Sequence, residues 1–200
     1  MSVNSFTKHE PLIFKTGSNI KLIHRAEYYK SIIADGKELI TGDEYGEIRV
    51  PELNDEKVYI TFKEDLTSLA NAFSGCSALK SIPENLFANC PKATDFSFTF
   101  FGCKALTAIP EGLFANNPKV TIFQGTFSYC SALKSLPANL FANNRKVNSF
   151  RLTFSGCSAL KSIPENLFAK NQEVTNFQDS FNGCLSLTET VSYTHLTLPT

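Results

Sequence analysis

From residue 66 onward the apolar positions keep one period. Cys76, Cys103, Cys130, Cys157 and Cys184 stand 27 residues apart. Phe73, Phe100, Phe127, Phe154 and Phe181 precede them by three, and Leu79, Leu106, Leu133, Leu160 and Leu187 follow by three. Leu69, Phe96, Phe123, Phe150 and Phe177 keep the same spacing, as do Ile82, Ile109, Leu136 and Ile163, each followed by a proline. Inside one period the apolar residues recur about every three positions, which suits neither a long helix nor a strand of plain alternation. The pattern predicts a coil of short extended segments and turns. Inward residues of one coil would stack on the same residues of the next, because one such unit cannot bury its apolar face alone. The predicted units are 66–92, 93–119, 120–146 and 147–173, with a partial fifth at 174–190.

Each repeated position has a physical reading. Pro83, Pro110, Pro137 and Pro164 should end a strand, since proline donates nothing to a ladder. The Leu-Phe-Ala-Asn-Asn stretch after them should make one short helical turn, with Asn tolerating the exit conformation. Asn89, Asn116 and Asn143 share one register, Asn117, Asn144 and Asn171 another, and Thr99, Thr126, Thr153 and Ser180 form a hydroxyl column. Phe-Ser-Gly-Cys-Ser-Ala-Leu-Lys-Ser-Ile-Pro occurs at 73–83 and again at 154–164, and Val-Thr-x-Phe opens units at 120–123 and 174–177. In these residues the chain resembles the BspA-like leucine-rich repeats of gut and oral anaerobic bacteria over about 66–190. Leucine-rich units run about 20–29 residues. Two departures from their ordinary consensus stand out: the Cys-to-Leu spacing is one residue longer than the usual Asn-to-Leu spacing, and Phe replaces much of the Leu. The resemblance implies a solenoid, and a secreted or surface-anchored adhesion or binding protein with no catalytic residues to carry over.

Residues 1–65 follow a different pattern, read as a small β-sheet or sandwich-like domain. Val58–Phe62 alternates, and so does Glu47–Val50 up to Pro51. Asp35-Gly36 between Ser31–Ala34 and Lys37–Ile40 is a hairpin signal, because both turn positions favour positive φ. Leu12–Phe14 and Lys21–His24 are further strand candidates. The expected fold class is therefore mainly β with short helical turns, a leucine-rich-repeat-like solenoid behind a small β domain that caps its first coil.

Composition sharpens this in two ways. The chain of 200 residues carries 19 Lys plus Arg against 19 Asp plus Glu, a formal net charge of zero. That removes the electrostatic basis for a general nucleic-acid or anionic-membrane binder. All six Cys and all but three of the 18 Phe lie beyond residue 65, which marks a boundary there. No apolar run is long enough for a transmembrane helix.

Candidate chemistry is sparse. Zinc sites want Cys pairs two to four residues apart, and no such pair exists here. The register predicts a core column of Phe73, Cys76, Phe100, Cys103, Phe127, Cys130, Phe154 and Cys157, with the thiols buried and free. Cys90 takes the place of a turn Asn and is expected to be more exposed, which makes it the one candidate for a reactive thiol. Lys80, Thr107, Lys134 and Lys161 lie between inward Leu and Ile, so they should form an outward stripe. Such stripes on repeat proteins are where ligands lie; a solvated face neutralised by Glu84, Glu111 and Glu165 is the plainer reading. His9 and His24 complete no Ser/His/Asp or Cys/His set, and Asp43-Glu44 lacks the spaced acidic loop calcium needs. No cofactor, metal or catalytic residue is expected.

The two chain ends carry little of the functional reading. Residues 191–200 fit no column and match, codon for codon, the translation of a transposase sequencing adapter. They are expected to be an artefact tail on a fragment, so Tyr193 and His195 carry no functional argument. Residues 1–10 carry neither the basic start nor the apolar run of a secretory signal. A surface or secreted location therefore rests on the resemblance. The expected function is non-enzymatic binding of a protein or glycan partner. A structural stalk within a larger surface protein and an intracellular protein-interaction module are the alternatives.

Overall fold

Alternation and turn chemistry shape the first part of the chain. The structure, a computed structural model, describes residues 11–14, 20–22, 28–35, 37–38, 48–50 and 57–188. Its strands are β1 (Leu12–Phe14), β2 (Ile20–Leu22), β3 (Tyr29–Ala34), β4 (Lys37–Glu38), β5 (Ile48–Val50), β6 (Lys57–Phe62) and β7 (Leu79–Ser81). In β6, Val58, Ile60 and Phe62 are buried while Lys57, Tyr59 and Thr61 are not, so the period of two presents one face to the core. β3 and β4 form a hairpin in which Ile33 faces Glu38 and Ala34 faces Lys37, with Asp35 at φ 48°. The main sheet runs β4-β3-β6-β1-β7 with antiparallel pairings, and β2 and β5 form a separate antiparallel pair. Ile23, His24, Gly36, Leu39, Ile40, Glu47 and Pro51 lie outside the described residues, as do His9, Asp43, Glu44 and the tail at 191–200.

The composition boundary at residue 65 is bridged in the structure. β7 belongs to the first 27-residue unit, yet it pairs with β1 at the edge of the N-terminal sheet. Phe62 stacks on Tyr29 at 5.3 Å, meets Phe73 edge-on at 6.0 Å and lies 5.5 Å from Phe87. The Tyr29 hydroxyl donates to the Ala72 carbonyl at 2.9 Å. The end of the sheet thereby occupies the place that a preceding unit would fill, and one hydrophobic core runs through both parts.

Beyond the sheet, successive units lie side by side in parallel register. Single parallel bridges link Ser68 to Asp95, Asp95 to Ile122, Ile122 to Ser149 and Ser149 to Asn176. At each junction four backbone bonds recur. The N–H groups of Phe96, Phe98, Phe100 and Gly102 donate to the carbonyls of Ile122, Gln124, Thr126 and Ser128 at 2.8–3.1 Å. Phe73, Phe100, Phe127, Phe154 and Phe181 form one ring stack with centroid steps of 5.3, 5.4, 5.7 and 5.4 Å. Phe96, Phe123, Phe150 and Phe177 form a second, and Phe87, Phe114, Phe141 and Phe168 a third. Offset and near-parallel rings of this kind add to the burial of their area.

Two details differ from the sequence expectation. The stretch after each proline is not a helical turn but a series of four-residue turns, each closed by a bond from an N–H to the carbonyl three residues earlier. In the first unit Leu86 bonds Pro83, Ala88 bonds Asn85, Cys90 bonds Phe87 and Ala93 bonds Cys90. Phe87, Cys90 and Ala93 recur every third residue and all are buried; a helix of 3.6 residues per turn would rotate them off the core. No α-helix occurs among the described residues. The left-handed positions also fall elsewhere than at the turn Asn residues. They form two columns: Asn71, Phe98, Gly125, Leu152 and Asp179, and Gly75, Gly102, Tyr129, Gly156 and Gly183. In the outer Asn register, Asn143 donates to the Ala115 carbonyl of the preceding unit at 3.1 Å.

Candidate functional site

The side chains that repeat inward are spent on holding the units together. Thr99, Thr126, Thr153 and Ser180 are buried, and each hydroxyl is shared between a carbonyl of its own unit and one of the unit before. The Asn117, Asn144 and Asn171 amides each donate to two carbonyls of the preceding unit at 2.8–3.2 Å. Cys103, Cys130, Cys157 and Cys184 point their thiols at Phe73, Phe100, Phe127 and Phe154 carbonyls at 3.1–3.3 Å.

All six cysteines are buried, and none is in a disulfide. Burial pushes the Cys76 and Cys130 thiols up to about 12 and Cys184 up to about 11, and raises Cys103 and Cys157 as well. A thiol held protonated is neither a nucleophile nor a metal ligand. Cys90 overturns its expectation: it is wholly buried, and burial pushes it up to about 12. The reason is its register. It occupies the buried Asn column, and its Sγ reaches the Lys63 carbonyl 27 residues earlier at 3.8 Å, as Asn117 reaches Cys90. Among the described residues no group of three or more His, Cys, Asp or Glu is placed to hold a metal ion.

Two outward features remain. Thr107, Lys134 and Lys161 are exposed and Lys80, within β7, is half-buried. The backbone brings the stripe into adjacent register, since Lys134 N–H donates to Thr107 and Lys161 N–H to Lys134, each at 3.2 Å. Of the acidic residues read as its neutralising partners, Glu111 accepts instead from the Asn139 amide at 2.8 Å.

The second feature escaped the sequence reading. Phe101 breaks a polar column and Tyr129 a glycine column, and the fold brings both together with Phe98, whose column is variable. Phe101 meets Phe98 edge-on at 6.0 Å and Tyr129 edge-on at 5.5 Å. Phe98 and Tyr129 both hold positive φ, 55° and 58°. The Phe98 ring lies where a side chain on Gly125 would stand, and the Tyr129 ring lies 2.7 Å from where a Cβ on Gly156 would be. Tyr129 remains 54% exposed. The signal was available as departures from the register, which a consensus unit averages away.

No protein-family model matches the chain, and neither curated proteins nor solved structures give a match. Among the described residues no helix is long and apolar enough to cross a membrane.

Proposed function

We propose that residues 66–190 are a leucine-rich-repeat-like solenoid of the BspA-like kind, and that the chain is a non-enzymatic binding or adhesion module of a secreted or surface protein. Its partner is a protein or a glycan. The observation that carries this reading is the in-register junction: the same backbone bonds recur between units, so any outward residue repeated in sequence becomes a continuous strip. A strip of repeated side chains is suited to an extended ligand and not to a single reacting atom. The inward polar groups are engaged in holding neighbouring units together, and the thiols are kept protonated by burial, which favours recognition over chemistry.

The test is capture of extracellular-matrix proteins and mucin-type or polysaccharide glycans on the immobilised chain, followed by surface plasmon resonance. Saturable binding that weakens at least about tenfold in Lys134→Glu/Lys161→Glu supports a ligand strip on the Lys stripe. Saturable binding insensitive to that pair moves the ligand to another face. No saturable binding to any member supports the stalk reading.

A further inference from the structure

We propose that Phe98, Phe101 and Tyr129 form a stacking platform for a sugar ring, and that the ligand it takes is a neutral glycan. The assignment rests on the binding reading above and gives it a site and a ligand class. Two departures from the repeat converge on Phe98, whose own column varies through Asn71, Gly125, Leu152 and Asp179: Phe101 stands where the other units hold Ser74, Ser128, Ser155 and Asn182, and Tyr129 where they hold glycine. Packing within the fold does not require them, since the other units stack through the same backbone bonds without them. The backbone of Tyr129 is strained, because a left-handed conformation is unfavourable for any residue with a Cβ and every other unit places glycine there; at Phe98 the same conformation is common to its whole column. Strain retained at an exposed cluster marks a site of use more than a support of the fold. Gly125 and Gly156 leave the space into which the two rings settle.

Size and charge select the ligand. An aromatic side chain carries about 150–250 Å², so the half-buried Phe98 and Phe101 and the Tyr129 ring together expose on the order of 200 Å². A stable protein interface takes about 800 Å² per partner, whereas one pyranose ring matches a patch of this size. The three columns that hold the platform contain no Lys, Arg or His and one carboxylate, Asp179. These columns therefore bring no cation of their own to attract an anion. Asn71 and Ser74 of the first unit flank Phe98 and Phe101 in these same columns. Apolar faces beside an amide and a hydroxyl match a sugar, with its apolar C–H face and its rim of hydroxyl groups.

The experiment is saturation-transfer NMR of the full chain with neutral hexasaccharides of glucose, galactose, mannose and N-acetylglucosamine. At least one is expected to receive transfer from the aromatic rings. Affinity should fall about tenfold or more in Tyr129→Gly and in Phe101→Ser. Both variants restore the residue of the other units, so the thermal midpoint should stay level or rise, which a merely structural Tyr129 would not allow. Absence of transfer to every sugar, or unchanged affinity in both variants, overturns the platform. If macromolecular capture persists in Tyr129→Gly, the platform falls while the binding reading stands. Capture lost in Tyr129→Gly but retained after the partner is enzymatically deglycosylated overturns the glycan assignment in favour of a protein.

Discussion

Phe127 sits between Phe100 at 5.4 Å and Phe154 at 5.7 Å, with no exposed surface. Truncating such a ring removes both its burial and its stacking partners, so Phe127→Ala should cost about 3–5 kcal/mol. Lys134→Ala, on the exposed stripe, should stay within about 0.5 kcal/mol. Urea melts of the two variants check this, and equal costs would mean that the faces are assigned wrongly. At this scale repetition makes Phe127 and Lys134 legible, because five units vote on each position. Cys90 was not legible: a Cys in a row of turn Asn residues reads as surface until the register shows that row to be the buried one. Nor could periodicity reveal that the Asn117, Asn144 and Asn171 amides donate twice while their side-chain oxygens, also buried, have no partner.

Among the elements, the turn with two left-handed positions is the one that distinguishes units. Gly102 has φ +69°, and a methyl group added there would meet only ordinary contacts, the nearest atom being the Gly75 Cα at 3.8 Å. Gly102→Ala should therefore cost only the backbone penalty, about 1–2 kcal/mol. Gly125→Ala carries the same penalty at φ +60° and also displaces the Phe98 ring, so its loss of stability should be clearly larger. Chemical denaturation of both variants side by side measures the difference; equal losses would show that the Phe98 ring swings away freely. The hairpin at Asp35 and the alternation in β6 were readable in the sequence because both are local. The pairing of β1 with β7 was not, since it joins residues far apart and of different composition.

For the whole molecule, the thiol column makes stability depend on alkaline pH. A thiol near 9 in the unfolded chain and near 12 in the folded one favours folding fully below pH 9, and that contribution is lost as pH rises toward 12. The urea midpoint should thus fall steadily from pH 9 to pH 11, and the fall should be shallower in Cys130→Ala. A midpoint independent of pH over that range would contradict the buried, protonated column. The junctions make a second prediction. Deleting residues 93–119 brings Asn144 against Cys90 in the relation that Asn117 now holds, so the shortened chain should keep a cooperative melt. Deleting 93–112 leaves the columns out of phase and should abolish it, as circular dichroism during a thermal melt would record.

The equivalence of the junctions also has a genetic side. Residues 73–88 recur, identical at every position, as 154–169, three units further on. A crossover between the coding stretches of these two identical segments would excise Phe98, Phe101, Gly125 and Tyr129 together and rejoin the chain in frame and in register. The reciprocal product carries the same cluster twice. A lineage can therefore shed or double its aromatic surface in one recombination event, so this cluster can change faster than the scaffold beneath it.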